Sequence, residues 1–163
     1  MIEIKPAKNK DDYLLIEQLA DTIWREHYPT IISIEQIDYM LNKYNSVESI
    51  VKRVEEGTLF YYMVYNDIPV GYIAIEIKKG FLYVSKLYVK KEFRGKKIAK
   101  SAMLFAESIA KEKGISTVKL HVNKYNTNSI LAYKKMGFVN IESVVTNIGK
   151  GFIMDDYLLE KVI

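Results

Sequence analysis

The residues most able to do chemistry lie in one short run. Residues 86–100, KLYVKKEFRGKKIAK, hold 7 basic side chains and 1 acidic one, more than the whole formal excess of +4 on the 163-residue chain. Arg94, Lys96, Lys97 and Lys100 surround Gly95 where a β-rich stretch gives way to helical periodicity. Lysines in a first helical turn oppose the positive end of the helix dipole, at about 0.3–1 kcal/mol each. Local violations of this kind gather at functional sites. A bound anion removes the conflict, because the free N–H groups of a first turn form a phosphate site and Arg or Lys adds charge-assisted bonds. The other reading of the run is a solvated basic face with a loop glycine. Neither GxxxxGK[ST] nor GxGxxG occurs, so a P-loop or Rossmann dinucleotide site has no support.

Missing residue types narrow the chemistry further. With 0 cysteines, disulfides, thiolate zinc sites and an enzyme-borne thiol nucleophile are excluded. The 2 histidines, His27 and His121, have no partners at metal-ligand spacing, so no metal is expected. No run approaches the roughly 18 apolar residues of a membrane span, which removes a membrane partner. MIEIKPAK lacks an apolar signal core, so the expected location is cytoplasmic. The length fits a single domain over residues 1–163. Residues 1–85 carry 9 basic and 13 acidic side chains, an acidic half that favours a cationic partner.

The elements that must position these groups follow from periodicity. IEIKPA reads as a strand, and DDYLLIEQLADTIWREHY as a helix with Ile16, Leu19 and Ile23 on one face, closed by Pro29. SIEQIDYML opens on Ser33 with Gln36 three residues later, a capping-box pattern, and SVESIVKRVEEG stops at Gly57. TLFYYMVY, PVGYIAIEI and FLYVSKLYV, joined by short turns, predict an antiparallel meander. A helix is expected from about Lys97 to Lys113, with Ile98, Ala102, Phe105, Ala106 and Ile109 inward and Gly114 as its stop. STVKLHV is a strand, NTNSILAYKKM a helix, and FVNIESVV and GFIMDDYLLEKV are strands. The expected class is α/β (α+β): a mixed, mostly antiparallel central sheet with flanking helices, parallel where the long helix crosses over.

Two segments, VKKEFRGKKIAKSAM and LHVNKYNTNSILAYKKMGF, resemble the acetyl-CoA-binding core of the GNAT superfamily of N-acetyltransferases. The first matches the pattern of Arg or Gln, two residues, Gly, one residue, Gly or Ala through Arg94 and Ala99, with Lys97 where Gly is usual. The second matches through Asn126, Ser129, Tyr133, Gly137 and Phe138. The resemblance is strongest over residues 83–138 and implies the GNAT fold, with the strands FLYVSKLYV and STVKLHV splayed as a parallel pair. It implies that the backbone of Leu87, Tyr88 and Val89 pairs with the pantetheine arm of acetyl-CoA. Arg94, Gly95, Lys96, Lys97, Ile98, Ala99 and Lys100 would cradle the pyrophosphate. Asn126 and Ser129 would hold the pantetheine side, with Lys135 near the adenosine phosphates.

Attack of an amine on a thioester needs a neutral amine, an oxyanion donor and a proton source. The resemblance makes Tyr133 the general acid and gives the oxyanion to an N–H near Val89. A phenol near 10 donating to a thiolate near 8.5 is uphill by about 2 kcal/mol, so hydrogen bonding to the sulfur counts as much as full transfer. An amine near 10.4 takes roughly 4–5 kcal/mol to deprotonate at pH 7, so a base should assist. Glu26 is the candidate, and Trp24, Glu26, His27 and Tyr28 lie where relatives border the acceptor; Glu76, Asp155 and Asp156 are alternatives.

The leading expectation is therefore an N-acetyltransferase moving acetyl from acetyl-CoA to a primary amine (small amine, polyamine or protein amine) by direct attack in a ternary complex. It needs no metal and no nucleic acid, and fold-level analogy gives a homodimer. The alternatives are a non-catalytic acyl-CoA sensor on the same fold and a nucleic-acid-binding module that stacks bases on Tyr83, Tyr88 and Phe93.

Overall fold

The structure, a computed structural model, describes residues 1–163. Its elements run β1 (Ile2–Pro6), α1 (Lys10–His27), α2 (Ile34–Asn45), α3 (Val47–Glu55), β2 (Leu59–Tyr65), β3 (Ile68–Lys78) and β4 (Phe81–Val89). After a 3₁₀ turn at Lys91–Phe93 come α4 (Ile98–Glu112), β5 (Thr117–Asn123), α5 (Thr127–Lys135), β6 (Val139–Gly149) and β7 (Phe152–Val162).

Helix starts follow local chemistry. Asn9, Ser33, Ser46 and Asn126 cap α1, α2, α3 and α5 by accepting a hydrogen bond from a first-turn N–H. The capping box expected at Ser33 is only half formed: Gln36 N donates to Ser33 Oγ, but the Gln36 amide reaches across to donate to Ile153 O at 2.8 Å. The helix expected from Lys97 begins one residue later. Lys97 is its N-cap, held in the left-handed region at φ 64°, and Lys96 precedes the helix, so of these lysines only Lys100 sits in the first turn.

The seven strands form one sheet in the order β1-β2-β3-β4-β5-β7-β6. Every neighbouring pair is antiparallel except β4 and β5, which meet through three residue pairs, Leu82 with Val118, Tyr83 with Lys119 and Val84 with Leu120. Beyond Val84 the two strands part, and α4 and α5 flank the opening. The mixed sheet and the splayed parallel pair agree with the sequence-based expectation.

The split coincides with a bulge. Ala74 pairs with Lys86 and Ile75 with Val84, which leaves Ser85 as an extra residue on β4. One inserted residue swaps the faces of the strand that follows. Leu82 and Val84 pack in the core beneath α4, and past the bulge it is Leu87 and Val89 that do so. Tyr88 joins the second core, beneath α1–α3, and Lys86 faces the same way, its Nζ 5.7 Å from the centre of the Tyr44 ring. Two apolar layers thus sandwich the sheet, one with Ile73, Ile75 and Met103, the other with Tyr72, Ala74 and Trp24. At Gly71, a Cβ would collide with Tyr88 O, so glycine is what lets β3 close on β4 beside the split.

Candidate active site

Where β4 and β5 part, a cleft of about 710 Å³ runs through the molecule. Its walls come from the end of α1, the second half of β4, the loop into α4, the end of β5, α5 and β7. One end is cationic and main-chain in character; the other is lined by buried side chains.

At the first end lie most of the residues expected to form an anion cradle. Arg94, Gly95, Lys97, Ile98, Ala99 and Lys100 all line the cleft. Among the five α-helices α4 alone has no side-chain cap, and no acidic residue occupies its first turn. Its first-turn N–H groups are open, and Gly95 at φ 81° and Lys97 at φ 64° shape the loop that leads to them. An uncapped helix start ringed by cations is a fit for a pyrophosphate. Lys96 departs from the expectation: it does not line the cleft, and its Nζ lies 5.6 Å from the Tyr65 ring. Lys135 lines the cleft from α5.

The middle of the cleft is framed by β4 and α5. Tyr88 pairs with Tyr72, Lys86 with Ala74, and Lys90 N donates to Val70 O at 2.8 Å. That alternation turns the amide groups of Leu87 and Val89 away from β3, towards the gap that β5 has vacated. Asn126 is buried and its Oδ1 accepts from Ser129 N, so this side chain holds the start of α5 as well as facing the cleft. Tyr133 is half-buried, packs edge-on against Phe138 with ring centres 5.8 Å apart, and lines the cleft.

Hydrogen bonding singles out Tyr133 among the four tyrosines of the cleft. The hydroxyls of Tyr28 and Tyr88 bond to each other at 3.3 Å, and that of Tyr83 is engaged by His121 Nδ1. The Tyr133 hydroxyl has no protein partner, and burial, with Tyr28 nearby, pushes its pKa above the ordinary phenol value. The protonated hydroxyl is therefore free to donate to whatever occupies the cleft.

His27 stands between the two ends. Its Nδ1 lies 3.4 Å from an Arg94 Nη, and burial followed by the Arg94 charge lowers its pKa, against an opposing contact with Asn126. Trp24, His27 and Tyr28 all line the cleft, with Trp24 also buried in the core and its Nε1 donating to Tyr72 OH at 3.1 Å.

Glu26, expected as the base, is exposed on α1 and lines no part of the cleft, because a helix that turns Trp24 and Tyr28 inward turns Glu26 outward. Glu76 is held by Lys78 at 3.0 Å and Arg53 at 3.9 Å, and Asp155 by Lys124 at 2.8 Å; neither reaches the cleft. Asp156 does. It is 7% exposed, and burial, reinforced by Asp155 and opposed by Lys124, pushes its pKa up to about 6. None of the acidic residues of the N-terminal half, expected to favour a cationic partner, lines the cleft.

Lys86 was counted in sequence with the basic run, yet the bulge at Ser85 separates it from that run. It is 8% exposed, lines the cleft on the α1–α3 side, and burial, then Arg53, lowers its pKa to about 7. A lysine at the next alternate position after Leu82 and Val84 was the one sequence signal of this reversal. Of the three rings on which a nucleic-acid module would stack bases, Tyr88 is packed on Trp24, Tyr28 and Tyr72.

The chain is similar to known proteins in sequence and in fold. Residues 15–138 match the Acetyltransferase (GNAT) family. The spermidine N(1)-acetyltransferase of Thermoplasma acidophilum is 31% identical over 159 residues, covering 94% of this chain and 96% of its own. The peptidyl-lysine N-acetyltransferase YjaB of Salmonella typhimurium is 28% identical over 156 residues, 93% of this chain and 94% of its own. Among solved structures, the PaiA N-acetyltransferase of Thermoplasma acidophilum in complex with coenzyme A superposes with a TM-score of 0.85 at 27% identity, over 100% of this chain and 99% of that one.

Proposed function

The chain belongs to the acetyltransferase (GNAT) family, and from that premise we propose which of its residues carry acetyl from acetyl-CoA to a primary amine by direct attack in a ternary complex. The observation that carries the assignment is that α4 alone lacks a side-chain cap and opens on the cleft between β4 and β5. Acetyl-CoA is the co-substrate. Its pyrophosphate is taken by the first-turn N–H groups of α4 with Arg94, Lys97 and Lys100, while the amides of Leu87 and Val89 bind the pantetheine arm as a further strand would.

The residues near the thioester divide the work. An outward amide on β4 at Leu87 or Val89 donates to the carbonyl oxygen as negative charge develops there. Asp156 is ionised at pH 7, receives the acceptor as an ammonium ion and takes one proton from it before the neutral nitrogen attacks the carbonyl carbon; the second proton leaves the nitrogen as the tetrahedral intermediate collapses and passes through solvent to the departing thiolate. Tyr133 donates a hydrogen bond to the sulfur as the carbon–sulfur bond breaks. Because burial raises this phenol further, complete proton transfer is more than about 2 kcal/mol uphill, and stabilising the thiolate is its main contribution. With 0 cysteines in the chain no acetyl-thioester forms on the protein, which supports direct attack. A chain without cysteine also suits the reducing cytoplasm.

Spermidine, named in the Thermoplasma relative, and lysine side chains, named in the Salmonella one, belong in the acceptor panel beside other primary amines. The test is thiol release from acetyl-CoA against an amine panel, in which any thiol detected comes from the co-substrate. Release that depends on a primary amine supports the reading. Binding of acetyl-CoA with no release from any amine would leave a sensor on this fold and overturn it.

A further inference from the structure

Lys86 and Asp156 share an unusual situation. Each is more than nine-tenths buried, each lines the same cleft, and neither side chain makes a hydrogen bond or an ion pair with the protein. Buried charges are ordinarily paired, since removing an ion from water without a partner costs several kcal/mol. The carboxylate nearest Lys86 in electrostatic effect, Glu76, is already engaged by Lys78 and Arg53. The lysine nearest Asp156, Lys124, is engaged by Asp155. A lysine that burial leaves about half protonated near pH 7 and a carboxylate thus stand unpaired in one cavity, and they do not pair with each other.

Their surroundings give the shape of what would join them. Lys86 reaches the cleft from β4 with Tyr44 beside it, and Asp156 from β7. Ile32, Met40 and Met154 line the cleft on the same α1–α3 side of the sheet, an apolar wall suited to methylene groups. The bulge at Ser85 is what puts Lys86 here; with regular alternation it would point beneath α4 with Leu82 and Val84. A trication has a poor place in this cavity, where one end already holds a buried amine beside Arg53.

We propose that the acceptor is an amino carboxylate, its reacting nitrogen held by Asp156 and its carboxylate by Lys86, with an alkyl chain between them along the apolar wall. This deepens the acetyl-transfer reading and rests on it. Lys86 then selects the acceptor through the end that does not react, and the ligand supplies the counter-charge that the protein withholds from both residues.

Three acceptors with one five-carbon chain separate the possibilities: 5-aminopentanoate, pentylamine and 1,5-diaminopentane end in carboxylate, methyl and ammonium. Measured as kcat/KM for thiol release, the expected order is carboxylate, methyl, ammonium, with on the order of 10-fold between first and last, the scale of one charge-assisted bond. Lys86→Met should collapse that ratio, and Lys86→Arg should recover part of it. A diamine equal to or better than the amino carboxylate overturns the proposal, and so does a preference that survives Lys86→Met. If no amine releases thiol, the reaction itself has been misread; the three compounds are then ranked by the rise they give in melting temperature of the acetyl-CoA-bound protein. There the same order supports Lys86 as the carboxylate site, and the same two outcomes overturn it.

Discussion

The two ends of the cleft are built on opposite principles. The donor end is local: seven consecutive positions, Arg94 to Lys100, supply the exposed cations, the left-handed turns and the open helix start. The acceptor end is assembled from α1, α2, β4 and β7, and its two charged residues are buried and unpartnered. An end that grips phosphates can use main-chain N–H groups and solvated cations, because its ligand brings a large charge of its own. An end that must take a proton needs a group held away from its ordinary pKa, and at Asp156 burial by distant elements does that first of all.

If this division is right, variants at the acceptor end change turnover and its pH dependence, whereas variants at the donor end change affinity for acetyl-CoA. Asp156→Asn should have the largest effect, lowering kcat/KM by about 10²–10⁴-fold, the range of a general base. In the wild type kcat/KM should rise with pH through about 6 as Asp156 ionises, a limb the variant lacks. The same substitution should stabilise the fold. The folded carboxyl is raised above its unfolded value of 3.8, so its ionisation penalises folding above about pH 6 and not below about pH 4. Relief on the order of 2–3 kcal/mol should appear as a higher melting temperature at pH 8 and vanish at pH 4.

Tyr133→Phe comes next, with kcat down on the order of 10-fold and KM for acetyl-CoA little changed, the loss of one strong hydrogen bond to the leaving sulfur. Unaltered turnover in an assay limited by chemistry would remove its role. Arg94→Ala should raise KM for acetyl-CoA by roughly 10-fold with kcat near wild type, and the effect should shrink as salt rises. A changed pH profile in that variant would mean that the His27 contact couples the two ends and that the division fails. Smallest of all, Lys97→Gly should raise stability by up to about 1 kcal/mol by relieving a left-handed lysine, read from urea unfolding.

The same division explains what the sequence disclosed. The donor end could be proposed from the sequence because its signals are contiguous: a run of cations leading into a helix, Gly95, and Arg94 and Ala99 at family spacing, although only Lys100 of the lysines sits in the first turn. The meander, the crossover helix and the parallel pair were legible because turn residues and periodicity mark them. Glu26 was misjudged because sequence proximity to Trp24 and Tyr28 says nothing of which way a helix turns each residue. Asp156 and Asp155 could not be told apart, since adjacent strand residues point to opposite faces and only the β5–β7 register decides which one meets the cleft. Lys86 was assigned to the wrong company for one reason, a bulge that reverses the strand one residue before it.

The three-rung contact between β4 and β5 has a mechanical consequence. Strands β1–β4 and β5–β7 are two ladders stitched by a very short seam, and the turn at Gly114 and Ile115 separates them in the chain. The Lys161–Glu107 pair, at 3.0 Å with Glu107 buried and Lys161 partly exposed, is one of the few polar ties from the second ladder to α4 on the first. A molecule so arranged should part along that seam before it melts elsewhere, with amide exchange fastest at Leu82–Val84 among the sheet's paired positions. Cut at the turn, it becomes a pair of complementary fragments, and a ligand lying in the gap is what would fasten them.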